Sequence, residues 1–411
     1  MDNIIKKLPK MKTGRELISA LSFLPESDES VRIQDKSQRL IALSDLYRIY
    51  IPSKMSIEIY SRLYLALLCS LQKKTTKAAT VQRNENHKII VGREHNGILG
   101  GTDSFTIIGT SGIGKSSAIN RTIELLSENG IIETTKPYNR IIPCLVVQCP
   151  FDCSVKGILL EILRKTDEIL GTDYFRYSVK SRAATTDMLI GLVSSIALNH
   201  IGLLIVDEIQ NVANSKNGKN LVGMLTQLIN NSGIGICMVG TPECVSVFET
   251  NMQMARRSLG LIYTPLKYDE FFSDFCKTVF NYQYTRIKAE ICEQIINWLY
   301  EHSNGIVSVV ISLFHDAQEI AILNDSEIVD TDVLNEAYKN RIKMLHGYIS
   351  QNSNKKAKTS VNANNNAFSL KQNEPSEEPF SIYDVITQAK NNGGNVVNAL
   401  KDYITVEEIC L

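Results

Sequence analysis

The chain has 411 residues, enough for one large core with smaller modules attached. Its apolar fraction of 44% is that of an ordinary globular protein, and Lys plus Arg equal Asp plus Glu at 44 each, which excludes a globally basic surface as the means of holding nucleic acid. No run approaches the roughly 18 apolar residues of a membrane span, the N-terminal MDNIIKKLPKMKTG lacks the apolar stretch of a signal peptide, and the nine cysteines include no CxxC pair. A soluble cytoplasmic protein with reduced thiols and no membrane partner is expected.

Residues 1–85 read as a mainly helical N-terminal extension. Within it Ile57, Tyr60, Leu63, Tyr64, Leu67, Leu68 and Leu71 recur at three- and four-residue spacings, one apolar helix face, opened by Pro52 and Ser53 and closed by Lys73 and Lys74. From 86 to 265 short unbroken apolar runs alternate with amphipathic stretches. The runs lie at 105–108, 141–149, 203–206, 234–239 and 261–263. Runs of this kind predict strands covered on both faces, hence a parallel five-stranded αβα sandwich. Residues 266–346 return to helical periodicity, broken by a polar stretch at 325–331, and read as a helical lid. The stretch 347–380, rich in Asn, Ser and Lys, predicts a disordered linker. The last segment, 381–411, regains apolar residues such as Ile382, Tyr383, Val396 and Leu400; too short for a core, it reads as a tail that docks on a partner.

Chemistry enters with Gly109-Thr110-Ser111-Gly112-Ile113-Gly114-Lys115-Ser116, which fits GxxxxGK[ST], follows an apolar strand and opens an amphipathic stretch at Ser117. The glycines let backbone amides converge on phosphates, and the start of a helix adds free donors and a favourable dipole. Residues 109–117 are therefore the expected binding turn for Mg-ATP, with Lys115 reaching the β- and γ-phosphates and the Ser116 hydroxyl on magnesium. The run at 203–206 ends in Asp207 and Glu208, the first placed to hold the magnesium shell and the second to polarise the attacking water. The next run ends in Gly240-Thr241-Pro242, which offers Thr241 as a sensor that orients the water or meets the γ-phosphate. Arg256 and Arg257 precede the last run, a place from which an arginine faces a neighbour's phosphates as a finger in trans; spacing does not choose between them. Many ATPases of this kind carry an arginine on the lid, where this chain has Ser308 and Val309. A weak lid contact with nucleotide and slow unaided hydrolysis are expected.

This order of P-loop, acid pair, Thr-tipped strand, arginine pair and helical lid resembles the AAA+ P-loop NTPases. More specific stretches resemble the TnsC family, the AAA+ regulators of heteromeric DNA transposons. They include Cys149-Pro-Phe-Asp-Cys-Ser-Val-Lys-Gly, Ile201-Gly-Leu-Leu-Ile-Val-Asp-Glu-Ile-Gln-Asn, Ala255-Arg-Arg-Ser-Leu-Gly and Asn281-Tyr-Gln-Tyr-Thr, and the likeness spans about 45–325. The resemblance implies a protein that binds double-stranded DNA in its ATP state and assembles with itself as a ring or filament. It further implies that the assembly links a target-selector protein to the transposase subunits, with ATP hydrolysis driving disassembly. Carried onto this chain, Lys115 and Ser116 match the P-loop, Asp207 and Glu208 the acid pair, and Arg256 or Arg257 the finger. Cys153 stands where glycine is common and Asn211 where histidine is common. Lys136, Arg140, Lys156, Lys180 and Arg182 are the basic residues available to DNA in the first half of the ATPase domain, each also readable as a solvated surface charge. Two rival readings share the core motifs: a replication-type AAA+ initiator or loader, and a signalling ATPase that does not bind DNA.

Overall fold

The computed structural model of the chain describes residues 4–26, 28–90, 104–127, 130–133, 140–180, 185–245 and 260–342. Arg256, Arg257, Lys136, Arg182 and the stretch expected to form the linker and tail lie outside the described residues.

Short helices α1 (Ile4–Lys7) and α2 (Gly14–Leu21) begin the chain, followed by a 3-10 turn at Glu29–Ile33, helix α3 (Lys36–Ala42) and a second 3-10 turn at Leu43–Arg48. The long helix α4 (Lys54–Lys74) starts at a capping box in which Ser53 and Ser56 satisfy each other's backbone donors. Helix α5 (Lys77–Ile90) follows. Then come β1 (Phe105–Gly109), α6 (Lys115–Leu126), β2 (Ile132–Glu133), β3 (Arg140–Gln148), α7 (Val155–Leu170), α8 (Tyr174–Lys180), α9 (Thr186–His200) and β4 (Ile201–Asp207). Helices α10 (Asn211–Asn214) and α11 (Gly218–Ser232) and strands β5 (Gly235–Gly240) and β6 (Leu261–Tyr263) complete this part. Past β6 the described chain is helical: α12 (Glu270–Phe280), α13 (Glu293–Ser303), α14 (Val307–Leu323) and α15 (Thr331–Ala337), with Asp269 and Asp330 capping α12 and α15.

All five apolar runs form strands, and their pairings, β3 with β4, β4 with β5, β5 with β1 and β1 with β6, are parallel. The sheet nevertheless has six strands, in the order β2-β3-β4-β5-β1-β6, so the expectation of five is corrected by one. The extra strand, β2, is antiparallel and two residues long, pairing Ile132 with Ile141 and Glu133 with Arg140. A two-residue strand is too short to carry any periodicity.

Alternate residues of the central strands feed different cores, which is why the runs are apolar throughout. Leu203 and Ile205 of β4 pack with Leu63, Leu67 and Leu71 of α4, while Leu204 and Val206 pack against α7, α9 and α11. Each such aliphatic side chain contributes about 2 kcal/mol by leaving water. A third core lies among α12–α15 and takes in Leu43 and Leu46 from the N-terminal segment.

The N-terminal extension is thus divided between two hosts. Residues 29–48 join the lid: Arg39, fully buried, makes a bidentate ion pair with Glu327 at 2.5 and 2.7 Å, and Arg32 donates to the carbonyls of Thr285 and Arg286, each at 2.9 Å. Helix α4 instead joins the sheet. The connecting residues 49–53 run between the two, tied to Phe23 by a bridge in which Tyr50 and Phe23 exchange backbone hydrogen bonds at 2.7 and 2.9 Å.

Candidate functional site

Parallel strands deliver their C-terminal tips to one edge of a sheet, and three tips here end in polar groups around one cavity of about 370 Å³. From β1 the chain turns through 110–114 and enters α6 at Lys115, with Gly114 capping the helix at φ 96°. Ser111, Gly112, Ile113, Gly114, Lys115, Ser116 and Ser117 line the cavity, whereas Gly109 and Thr110 do not. The Lys115 ammonium donates to the carbonyls of those two residues at 2.7 and 2.9 Å. Burial pulls the pKa of Lys115 below its ordinary value, and the nearby Asp207 and Glu208 carboxylates oppose that shift.

At the tip of β4, Asp207 Oδ2 accepts from Ser116 Oγ at 3.1 Å. A hydroxyl and a carboxylate oxygen that close, facing the cavity, are the hard-oxygen donors that suit magnesium, so the residues present fit the ion. Asp207 Oδ1 accepts from the Glu208 backbone at 2.8 Å, and Glu208 takes φ 57°, left-handed backbone that is uncommon for a side chain with a Cβ. That turn places the Glu208 side chain exposed in the cavity, where its carboxylate accepts a hydrogen bond from Gln210 Nε2. Thr241, at the tip of β5, lines the same cavity; its hydroxyl is bonded to Glu243 and its backbone N–H to Gln210 Oε1 at 3.3 Å. The structure therefore brings together Lys115, Ser116, Asp207, Glu208 and Thr241.

Two walls of the cavity were not legible from motifs. One comes from the lid, where the Ser308 backbone donates to Gly112 O at 3.1 Å and Leu266, Phe271, Phe275 and Ile311 add apolar surface. Gly112 has φ 82°, and a Cβ there would stand 2.2 Å from Ser308 Oγ, so the P-loop and the lid touch without room for a side chain. The other wall is the N-terminal segment: Tyr47, Ile49, Tyr50, Ile51 and Met55 face the cavity. Its sequence signals are the apolar cluster just before Pro52 and the resemblance of Tyr50-Ile51-Pro52 to the TnsC family. A cavity lined both by the cation-bearing P-loop and by apolar side chains suits a nucleotide, phosphates at the first and base at the second. Of the basic residues considered for DNA, Arg140 is committed elsewhere, donating to Leu170 O at 2.5 Å.

Residues 100–261 match the model of a family described as Bacterial TniB protein. This ATPase core is TniB-like. TniB is a TnsC-like family of transposition AAA+ ATPases, and the matched stretch holds the P-loop, the acid pair and Thr241. The resemblance to TnsC-type regulators read from the motifs therefore holds for the TniB-like core. The sheet order, with the P-loop strand between β5 and β6, and the helices on both faces make the fold that of an AAA+ P-loop ATPase. None of the curated proteins matches the chain.

Solved structures with some likeness include the Aeropyrum pernix Orc1 protein in complex with DNA, at 13% identity over 64% of this chain and 64% of that one, with a TM-score of 0.42. Drosophila ORC bound to DNA is similar at 11% identity over 97% of this chain and 83% of that one, TM-score 0.45. Cdc6p from Pyrobaculum aerophilum is similar at 14% identity over 64% and 67%, TM-score 0.40. The chain spans 64% of the length of the Aeropyrum protein. Among the described residues no single helix is long and apolar enough to cross a membrane.

Proposed function

We propose that the chain is an ATP-hydrolysing switch of DNA transposition, which assembles on duplex DNA in its ATP state and links target-site selection to the transposase. The observation that carries this reading is the gathering of Lys115, the Ser116–Asp207 pair, Glu208 and Thr241 around one cavity inside the TniB-like stretch. In this reading the P-loop amides and the start of α6 bind the phosphates, and Lys115 turns from the carbonyls of Gly109 and Thr110 to the β- and γ-phosphates. Ser116 and Asp207 would hold magnesium, which would supply positive charge against the phosphate oxygens. Glu208 accepts a proton from the water it orients, and Thr241 steadies the γ-phosphate side of the site. Apolar residues of the lid and of the N-terminal segment exclude water from the base and join the two hosts of the extension around the nucleotide.

Among the described residues Lys115 is the one cationic side chain that lines the cavity, and Arg256 or Arg257 of a neighbouring subunit is assigned the place facing the γ-phosphate from outside. Assembly then depends on nucleotide, because the phosphate bridges two chains. DNA is held by many weak phosphate contacts repeated along the assembly, with steep salt dependence and little base reading. The segment 381–411 is assigned to a transposase or target-selector partner.

The test is a mobility assay on random duplex with a non-hydrolysable ATP analogue, with ADP and without nucleotide, beside a phosphate-release assay. Binding with the analogue alone, weakened steeply by salt, is expected. ATP turnover without any nucleotide-dependent DNA binding would overturn the transposition reading in favour of a signalling ATPase.

A further inference from the structure

Gln210 lies three residues beyond Asp207, in the turn that leaves β4, and its side-chain amide spans two groups of the cavity. The Oε1 accepts from the Thr241 backbone N–H at 3.3 Å, and the Nε2 donates to Glu208 Oε2. Its neighbours fix which way the amide faces: a backbone N–H can only donate, so the oxygen faces Thr241, and an ionised carboxylate can only accept, so the nitrogen faces Glu208. The bridge also needs Gly240. A Cβ at that position would stand 2.8 Å from Gln210 Oε1 and 2.8 Å from Ile209 Cγ2, pushing the amide away from the tip of β5. Beneath the bridge the turn is clamped to β5 by Ile209 N–H, which donates to Val239 O at 2.9 Å.

We propose that Gln210 is a positioning residue that couples the tip of β5 to the Glu208 carboxylate, so that what Thr241 grips sets where the water-orienting oxygen stands. The coupling rests on the ATPase reading above. When the β5 tip shifts to meet a phosphate, the Thr241 N–H carries Oε1, and the rigid planar amide carries Nε2 and Glu208 with it. Release of the phosphate relaxes the same chain of two hydrogen bonds. The device makes activation of water conditional on a γ-phosphate being held, without any contact between Thr241 and Glu208 themselves.

Steady-state ATP hydrolysis by the full chain tests this in the wild type, Gln210→Ala, Gln210→Glu and Glu208→Gln, with thermal unfolding recorded for each. Gln210→Ala is expected to lower kcat about 10- to 100-fold, as small misplacements of a reacting group do, while KM changes by less than about twofold. Gln210→Glu is nearly isosteric and keeps the acceptor for Thr241, but it sets a second carboxylate against Glu208, so its kcat falls at least as far, with an unchanged unfolding temperature. A merely structural glutamine would give the reverse order, the isosteric change being the milder. The coupling is overturned by an undiminished kcat in Gln210→Ala, or by Gln210→Glu outperforming it, in a chain whose turnover Glu208→Gln abolishes. No turnover by the wild type would instead overturn the ATPase reading, and the coupling with it.

Discussion

Replacing Glu327 with Gln should detach the N-terminal segment from the lid. The Arg39 guanidinium has no solvent exposure, and Glu327 holds it with hydrogen bonds of 2.5 and 2.7 Å; among the described residues it also donates to Tyr284 O at 3.3 Å, its Nε has no hydrogen-bond partner, and Asp325 and Asp35 add weaker electrostatic attraction. Taking away the carboxylate charge leaves a buried cation without its paired anion, and breaking such a pair costs about 3–5 kcal/mol. Glutamine retains one carbonyl oxygen, which places Glu327→Gln near the lower end. Replacing both partners, as Arg39→Met with Glu327→Met, should restore most of the loss, because two apolar side chains leave no charge stranded.

The assay is built into the chain. Its single tryptophan, Trp298, sits in α13 of the lid with its Nε1 bonded to Asn335 at 3.2 Å, so urea unfolding followed by tryptophan fluorescence reports the lid. The same pair predicts a pH effect. Hydrogen bonding from Arg39 holds the Glu327 carboxyl below its ordinary value of 4.5, with the Arg286 backbone N–H assisting and burial opposing. A carboxyl with a depressed folded pKa stabilises fully above its unfolded value and loses that contribution as pH falls. The wild-type lid transition should therefore weaken from about pH 4.5 downward, a slope that Glu327→Gln lacks. A loss under about 1 kcal/mol, the range of an exposed pair, would refute the buried clamp.

Glu208→Gln should keep nucleotide bound and lower turnover by about 10²-fold or more, with assemblies trapped on DNA; ready turnover would remove Glu208 from the water-orienting role. Replacing both Arg256 and Arg257 with Ala should cut both hydrolysis, by about 10³-fold, and assembly, while nucleotide affinity of the monomer is spared. Rings at wild-type concentrations would rule out a finger in trans. Gly112→Ala combines a left-handed backbone with a Cβ aimed at Ser308, and should cost about 1–3 kcal/mol and weaken nucleotide binding; unaltered binding by calorimetry would mean the lid does not rest on the P-loop.

Where a residue's place follows from local spacing, the chain could be read directly. Strands β1, β3, β4 and β5 announced themselves because both of their faces are buried, whereas β6 is three residues long and only half-buried, with Ile262 exposed; Lys115, Ser116, Asp207, Glu208 and Thr241 could be placed because they lie at or just beyond strand tips at the sheet edge. Cys153, noted where glycine is common, has φ 53°, so the turn asks for left-handed backbone and the cysteine accepts it. What local spacing does not encode was missed. Arg39 and Glu327 are 288 residues apart, and neither has neighbours that distinguish a buried ion from a solvated one. The wall from Tyr47 to Met55 carries no chemical motif, only the family-like Tyr50-Ile51-Pro52, since an apolar surface for a base needs only shape. Gln210 escaped for a related reason: its function lies in two hydrogen bonds to residues of different strands, and a glutamine after an acid pair is otherwise an ordinary turn residue.

The division of the first ninety residues between two hosts has a consequence for biogenesis. Residues 29–48 leave the ribosome early, yet the helices they pack against, among 270–337, are made more than two hundred residues later. Contacts so distant along the chain form slowly, and Leu43, Leu46 and Arg39 must wait without their partners until the helices among 270–337 have been made. Translation speed and chaperone supply should thus govern the yield of active protein more than the stability of the finished fold does.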